Sequence, residues 1–227
     1  IIENNQVKLE IFSQRTASSI VWKGSINNVW DFETPNFEVA GTPGTFVSND
    51  TLLFDESGLH KSINLTETAI TSGITFNATS DYTVNGTGSI SGPGNLVKSS
   101  SNTLSLLNKT NTYTGKTIVN GGTLVVSTIG SAGEPSSLGS AGMDPANLVV
   151  NNASLVINDF CTTNRSMTIT GNTTISVPTA KSYAIFVGEI TGSGSLIKEG
   201  NGSLYFTRRN SFSGQTIIKS GTVNLRS

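Results

Sequence analysis

The sequence predicts an all-β chain wound as a right-handed parallel β-helix, that is, a single-stranded β-solenoid. Three observations carry this. Short runs of period-two alternation such as "SLVIND", "MTITGNTTISV" and "GTLVVS" recur along the chain, as expected of strands with one buried face. Clusters of Ser, Thr and Asn, with 24 glycines, separate these runs and supply tight turns. One stretch is written twice. Gly92, Gly94, Leu96, Lys98 and Leu104 return as Gly192, Gly194, Leu196, Lys198 and Leu204. Asn111, Tyr113, Gly115, Thr117, Ile118, Gly122 and Thr123 return as Asn210, Phe212, Gly214, Thr216, Ile217, Gly221 and Thr222. Duplicated strand–turn–strand units argue for stacking, because each unit buries its apolar side only against a neighbour.

Taken in order, residues 1–19 read as a linker or first strand. The opening "IIENNQVKLEIF" has neither the basic start nor the apolar stretch of a signal peptide, and Ile1 reads as a cut point within a longer protein. Residues 20–89 form an N-terminal aromatic module with capping coils. Residues 90–227 form the β-helix, with repeats at 90–127 and 190–227. Within a repeat Leu96, Leu104, Ile118, Leu124 and Val126 are expected to point inward, while alternate Thr, Ser, Asn and Lys face solvent. A stretch rich in Gly, Ser and Pro at about 127–146 interrupts the pattern. It reads as a protruding loop with one short helical turn near "SSLGSA", and as a candidate functional loop. At about 20–25 residues per coil, roughly ten coils are expected.

Composition excludes several classes of function. Fourteen basic residues against 15 acidic ones leave no electrostatic footprint for a phosphate backbone or an anionic bilayer, so neither nucleic acid nor membrane insertion is expected. No run approaches the ~18 apolar residues of a spanning helix. One cysteine and one histidine exclude an internal disulfide and a structural zinc site, and no metal or cofactor is expected. Near-absence of cysteine suits an oxidising exterior, so a secreted or surface setting is preferred.

Candidate chemistry is sparse. Glu33, Asp50, Asp55 and Glu56 are the densest acidic group, and Asp144, Asp159 and Arg165 form a looser one. Two-carboxylate glycoside cleavage needs such groups about 5–9.5 Å apart; the alternative is that they hold turns. His60, close to Asp55, Glu56 and Ser57, invites a Ser-His-Asp reading but lacks any nucleophile-elbow signal. Cys161 has no basic helix terminus beside it and reads as a buried thiol. Trp22, Trp30, Phe32 and Phe37 are the dense aromatic group. They read either as a plug over the open end of the solenoid or as a platform on which sugar rings stack. No residue is assigned a catalytic role.

The repeats "GSGSLIKEGNGSLYF" and "NSFSGQTIIKSGTVNL", with their earlier copies, resemble the passenger-associated repeat of bacterial autotransporters. In the first copy Ser99 to Asn102 replace the Gly-Asn-Gly centre. "VWKGSINNVWDFETPNF" followed by "NDTLLFDES" is similar to the module that often precedes such repeats, with Phe37 where that module often has another Trp. The resemblance implies a secreted or cell-surface bacterial β-helix that is part of a larger chain and acts as a structural shaft or adhesin, with a host surface or glycan as partner. The alternatives are a polysaccharide-active β-helix enzyme of the pectin-lyase type, a glycan-binding module, or a stalk displaying a catalytic domain located elsewhere.

Overall fold

A computed structural model of the chain describes residues 15–226 and the short antiparallel pair Ile2–Glu3 and Gln6–Val7. The rest of the linker assigned to 1–19 lies outside the described residues up to residue 14. From Ser19 onward the chain winds as a stack of coils whose strands pair in parallel with those of the coils before and after. One face carries Ser19–Trp22, Asp50–Asp55, the second half of Thr68–Asn77, Asn95–Lys98, Thr117–Val119, Leu148–Asn151, Met167–Thr170 and Ile190–Thr191. A second face is a nine-stranded sheet running from Val29–Trp30 to Thr216–Ile218. A third begins with the first half of Thr68–Asn77 paired to Ser89–Ser91. It is resumed late in the chain by the four strands Cys161–Thr163, Tyr183–Phe186, Ser203–Phe206 and Thr222–Leu225. The chain is therefore a β-solenoid, with one 3-10 turn, Pro145–Asn147, among the described residues.

Alternation drives the burial. Strand Thr103–Leu106 buries Leu104 and Leu106, and Thr123–Val126 buries Leu124 and Val126 directly above them. Parallel pairing stacks like on like, so each inward column is a continuous apolar rod along the axis. Two inward assignments differ from expectation. In Thr117–Val119 it is Thr117 and Val119 that are buried, and Ile118 faces out. Thr117 is tolerated inside because its hydroxyl bonds the buried Tyr113 phenol at 2.8 Å. Lys98 and Lys198, expected at the surface, are fully buried. Each lies two residues beyond an inward leucine, Leu96 or Leu196, and a period of two puts both side chains on the same side.

The number of coils is nearer eight than ten. Ordinary steps are short, as from Leu104 to Leu124 or Leu155 to Ile175, 20 residues each. Two coils are longer. Ile20 to Leu52 takes 32 residues because the hairpin Phe37–Val39 and Thr42–Gly44 is inserted, and Leu124 to Leu155 takes 31 because the 127–147 excursion is. The hairpin folds back antiparallel on Ser19–Trp22, where it covers an edge that would otherwise offer free backbone groups. The helical turn falls at 145–147, not near "SSLGSA". Asp144 accepts the Ala146 amide at 2.8 Å and Pro145 opens the turn, a favourable pairing of cap and first residue.

The two repeats lie on one stack but are rotated by one face. Asn95–Lys98 sits on the first face, between Thr68–Asn77 and Thr117–Val119. Its counterpart Ser195–Glu199 sits on the second face, above Asn172–Ser176, in the column that holds Thr103–Leu106 in the earlier coils. Met167–Thr170 on the first face pairs instead with Ile190–Thr191. The coils between the copies do not add up to a whole number of turns, so the same motif meets solvent on different sides.

Candidate functional site

The N-terminal aromatics gather inside the first coils. Trp22, Trp30 and Phe37 are fully buried, and Phe32 packs partly against the same cluster. Trp22 meets Phe37 edge-on at 5.1 Å and Phe54 at 6.0 Å, while Trp30 meets Phe46 at 5.8 Å. The Trp22 indole donates to the His60 carbonyl at 2.8 Å. With these faces occupied by other rings, Trp22, Trp30 and Phe37 leave no ring plane open to a sugar. Phe46, Phe54, Phe76 and Tyr82 complete the cluster. For Phe54, Phe76 and Tyr82 inward parity on successive strands was the signal in the sequence; Phe46 lies in a loop, where no such parity marks it.

The carboxylates do not converge. Asp50 is buried and saturated: it pairs with Arg15 at 2.5 Å and accepts the Ser18 and Val47 amides, each at 2.8 Å. Asp55 accepts the Ser57 amide and hydroxyl. Glu56 holds the next coil's corner, accepting the hydroxyls and amides of Ser80 and Thr79. The Ser80 hydroxyl leads the bonds that hold its carboxyl down at about 2. Glu33 is exposed, Asp144 caps its turn, and Asp159 pairs with Lys109 at 2.6 Å. Ser57 engages Asp55 and Lys23, and His60 Nδ1 lies 2.6 Å from the Gly24 carbonyl, so no relay joins them. Burial pushes the Cys161 thiol up to about 11, which leaves it unreactive as a nucleophile. Among the described residues no group of three or more His, Cys, Asp or Glu could hold a metal ion. No described helix is long and apolar enough to cross a membrane.

The side chains that both copies keep serve the stack. Lys98 Nζ donates to the Ser100 carbonyl at 2.5 Å, to Asn102 Oδ1 at 2.9 Å and, in the next coil, to the Gly121 carbonyl at 3.0 Å. Lys198 does the same with the carbonyls of Glu199, Gly200 and, in the next coil, Ser220. Each ammonium gathers the carbonyls of two successive corners. In the first copy Asn102 supplies one acceptor, which is how Ser99 to Asn102 serve where the second copy has glycines. Asn111 and Asn210 are equally matched: each accepts the amide of the isoleucine below, Ile90 or Ile190, at 2.8 Å. Burial of the charge depresses the Lys98 pKa to about 8, and the Asp81 carboxylate only partly offsets it. A depressed lysine is penalised while charged, so its contribution to stability is lost as pH falls through about 8 and is fully present above the ordinary lysine range. The urea midpoint should therefore rise between pH 8 and 10, and Lys98→Met should flatten that rise.

The excursion at 127–147 is packed down. Ile129, Leu138, Ser136 and Ser137 are buried. Arg165, also buried, donates to the carbonyls of Gly130, Leu138 and Gly139 at 3.1, 2.9 and 2.7 Å. A guanidinium spends its planar fork here on backbone acceptors, so the loop is held by the coil above it. At the far end the stack is open. Thr117, Val119, Leu124 and Val126 are buried in the first copy, yet their counterparts Thr216, Ile218, Val223 and Leu225 line a groove of about 630 Å³. Ile218 is 52% and Leu225 79% exposed.

A stack whose shared residues are corner lysines, coil-closing asparagines and inward aliphatics defines a repeat β-solenoid. Comparison with known proteins places it further. The chain carries two copies of the Passenger-associated-transport-repeat, matched at residues 96–126 and 196–225. It is also 37% identical over 123 residues to the adhesin BmaC autotransporter of Brucella suis biovar 1 (strain 1330). That match covers 53% of this chain and 4% of the relative, so the chain corresponds to a small part of that protein's length. No solved structure matches the chain.

Proposed function

We propose that the chain is a non-catalytic β-helical segment of a longer bacterial protein, secreted or displayed at the cell surface, that serves as the shaft of an adhesin. One observation supports this above the others: the ionisable side chains common to both repeats, Lys98 and Lys198, are buried in corner carbonyls, whereas every buried or paired carboxylate weighed as an acid catalyst holds a turn, a neighbouring coil or a lysine. A two-carboxylate enzyme needs acids facing one groove at fixed separation, and Asp50, Asp55, Glu56 and Asp159 are each engaged locally. The matched relative is named an adhesin and an autotransporter, and passenger repeats of this kind fit a display shaft.

The test is turnover. Purified chain incubated with pectins, glucans and mammalian glycosaminoglycans should release no reducing ends and no unsaturated uronic products. Release that disappears in Glu33→Ala or Asp55→Ala, with the fold retained, would establish the enzyme instead.

A further inference from the structure

The third face of the late coils carries aromatic rings on its outer surface, although most of the chain's aromatics are buried. Its outward positions form three columns. Phe160, Tyr183, Ser203 and Thr222 fall in one. Thr162, Ile185, Tyr205 and Asn224 fall in the next, with Val187, Thr207 and Arg226 beyond. Phe160 is 55% and Tyr183 38% exposed. The rings continue from coil to coil: Phe160 lies 4.9 Å from Tyr183 in the same column, then, one column over at each step, Tyr183 meets Tyr205 edge-on at 6.3 Å and the Arg226 guanidinium sits 4.7 Å from the Tyr205 ring centroid. These side chains stand on the outside of the sheet, so they are independent of whatever covers the open end of the stack.

We propose that this stripe is a binding surface for an acidic polysaccharide. The chemistry of the face selects that partner. Exposed ring faces stack on the apolar C–H side of pyranose rings, and a tyrosine presents a polar tip beside its apolar body. Beside the rings, in the same two columns, stand Ser203, Thr222, Thr162 and Asn224, whose hydroxyls and amide can exchange hydrogen bonds with sugar hydroxyls. A protein interface would instead ask for a broad apolar centre, and here the line of rings is flanked in its own columns by Thr162, Ser203, Thr222 and Asn224. The columns contain a guanidinium and no carboxylate; the acid just before Phe160, Asp159, is already neutralised by Lys109. A cation stacked on a ring, on a face without acids, complements a uronate or sulfate. The successive coils set the rings along the solenoid axis, which suits a linear chain lying lengthwise. This deepens the adhesive reading by naming a ligand class and a face, and it rests on that reading.

The experiment is a titration of the chain with heparin and hyaluronate oligosaccharides, with neutral dextran alongside, followed by tyrosine fluorescence and calorimetry. The acidic oligosaccharides should bind and dextran should not. Tyr183→Ala/Tyr205→Ala should weaken binding by about tenfold or more. Its far-UV circular dichroism and melting temperature should stay close to those of the parent, because both side chains are outward. Arg226→Ala should weaken the acidic ligands and reduce the salt dependence. Absence of binding by both acidic probes, equal binding of dextran, or affinity unchanged in the tyrosine double variant would each overturn the proposal. Cleavage of the bound chain would overturn the non-catalytic reading while leaving this surface in place, so the two failures are distinguishable.

Discussion

Trp22→Ala is expected to lower the unfolding free energy by about 3–5 kcal/mol, because a large, fully buried side chain leaves a cavity that its neighbours cannot close. Trp22 packs edge-on against Phe37 and tilted against Phe54 and donates to the His60 carbonyl, so its removal costs ring packing and a part-buried hydrogen bond. The inserted hairpin Phe37–Val39 and Thr42–Gly44 should loosen with it, since Phe37 loses its edge-on partner. Urea unfolding measures the first effect, and amide exchange in the Ser19–Trp22 strand the second. As a control, Ile26→Ala, at an exposed site, should change stability by less than about 0.5 kcal/mol. A Trp22 variant as stable as the parent would remove the cap that we propose for these rings.

Gly192→Ala should be as damaging, for a different reason. Gly192 has φ of +109°, a conformation that side chains rarely adopt. A Cβ there would also run into the carbonyl oxygen of Ile169 in the coil below, with the Ile169 carbonyl carbon and amide nitrogen at 3.1 and 3.2 Å. Backbone cannot step aside as a flexible side chain can, so the coils must part. The loss should exceed about 3 kcal/mol, the strain of the dihedral plus the broken ladder. Gly133 separates the two contributions. Its φ is +84° but nothing lies within 4 Å of an added Cβ, so Gly133→Ala should cost only the dihedral strain, about 1–2 kcal/mol. Equal losses at the two sites would refute close coil approach as the reason for the repeated glycine.

Much of the fold was legible because a solenoid is written locally. Alternation in "GTLVVS" and "SLVIND" marks strands that do stack, Leu124 on Leu104 and Leu155 on Leu124. The errors came from reading residue type in place of parity. Lys98 is charged and Ile118 apolar, yet position two residues from Leu96 puts the lysine inside, and one residue from Thr117 and Val119 puts the isoleucine outside. A buried lysine is stable only where several carbonyls converge, and the corner that supplies them is assembled from two coils, beyond the reach of a strand pattern. The rotation between the repeats was equally hidden. An offset of about 100 residues says nothing of fractions of a turn once a 31-residue coil stands among coils of about 20. The outward rings of Tyr183 and Tyr205 lie in different strands and columns, and only the stack brings them to 6.3 Å.

Continuous stacking with a one-face rotation between the repeats is tested most directly by disulfide trapping in a Cys161→Ser background. Thr174 and Ile197 are register partners on the second face, both outward, at the separation of neighbouring strands that a disulfide can span. Thr168 lies on the first face, where its partner is Thr191. Under mild oxidation Thr174→Cys/Ile197→Cys should close a bond almost completely, and Thr168→Cys/Ile197→Cys should stay reduced. The reverse outcome, with residue 197 captured from position 168, would place the second repeat on the same face as the first and contradict the stack described here.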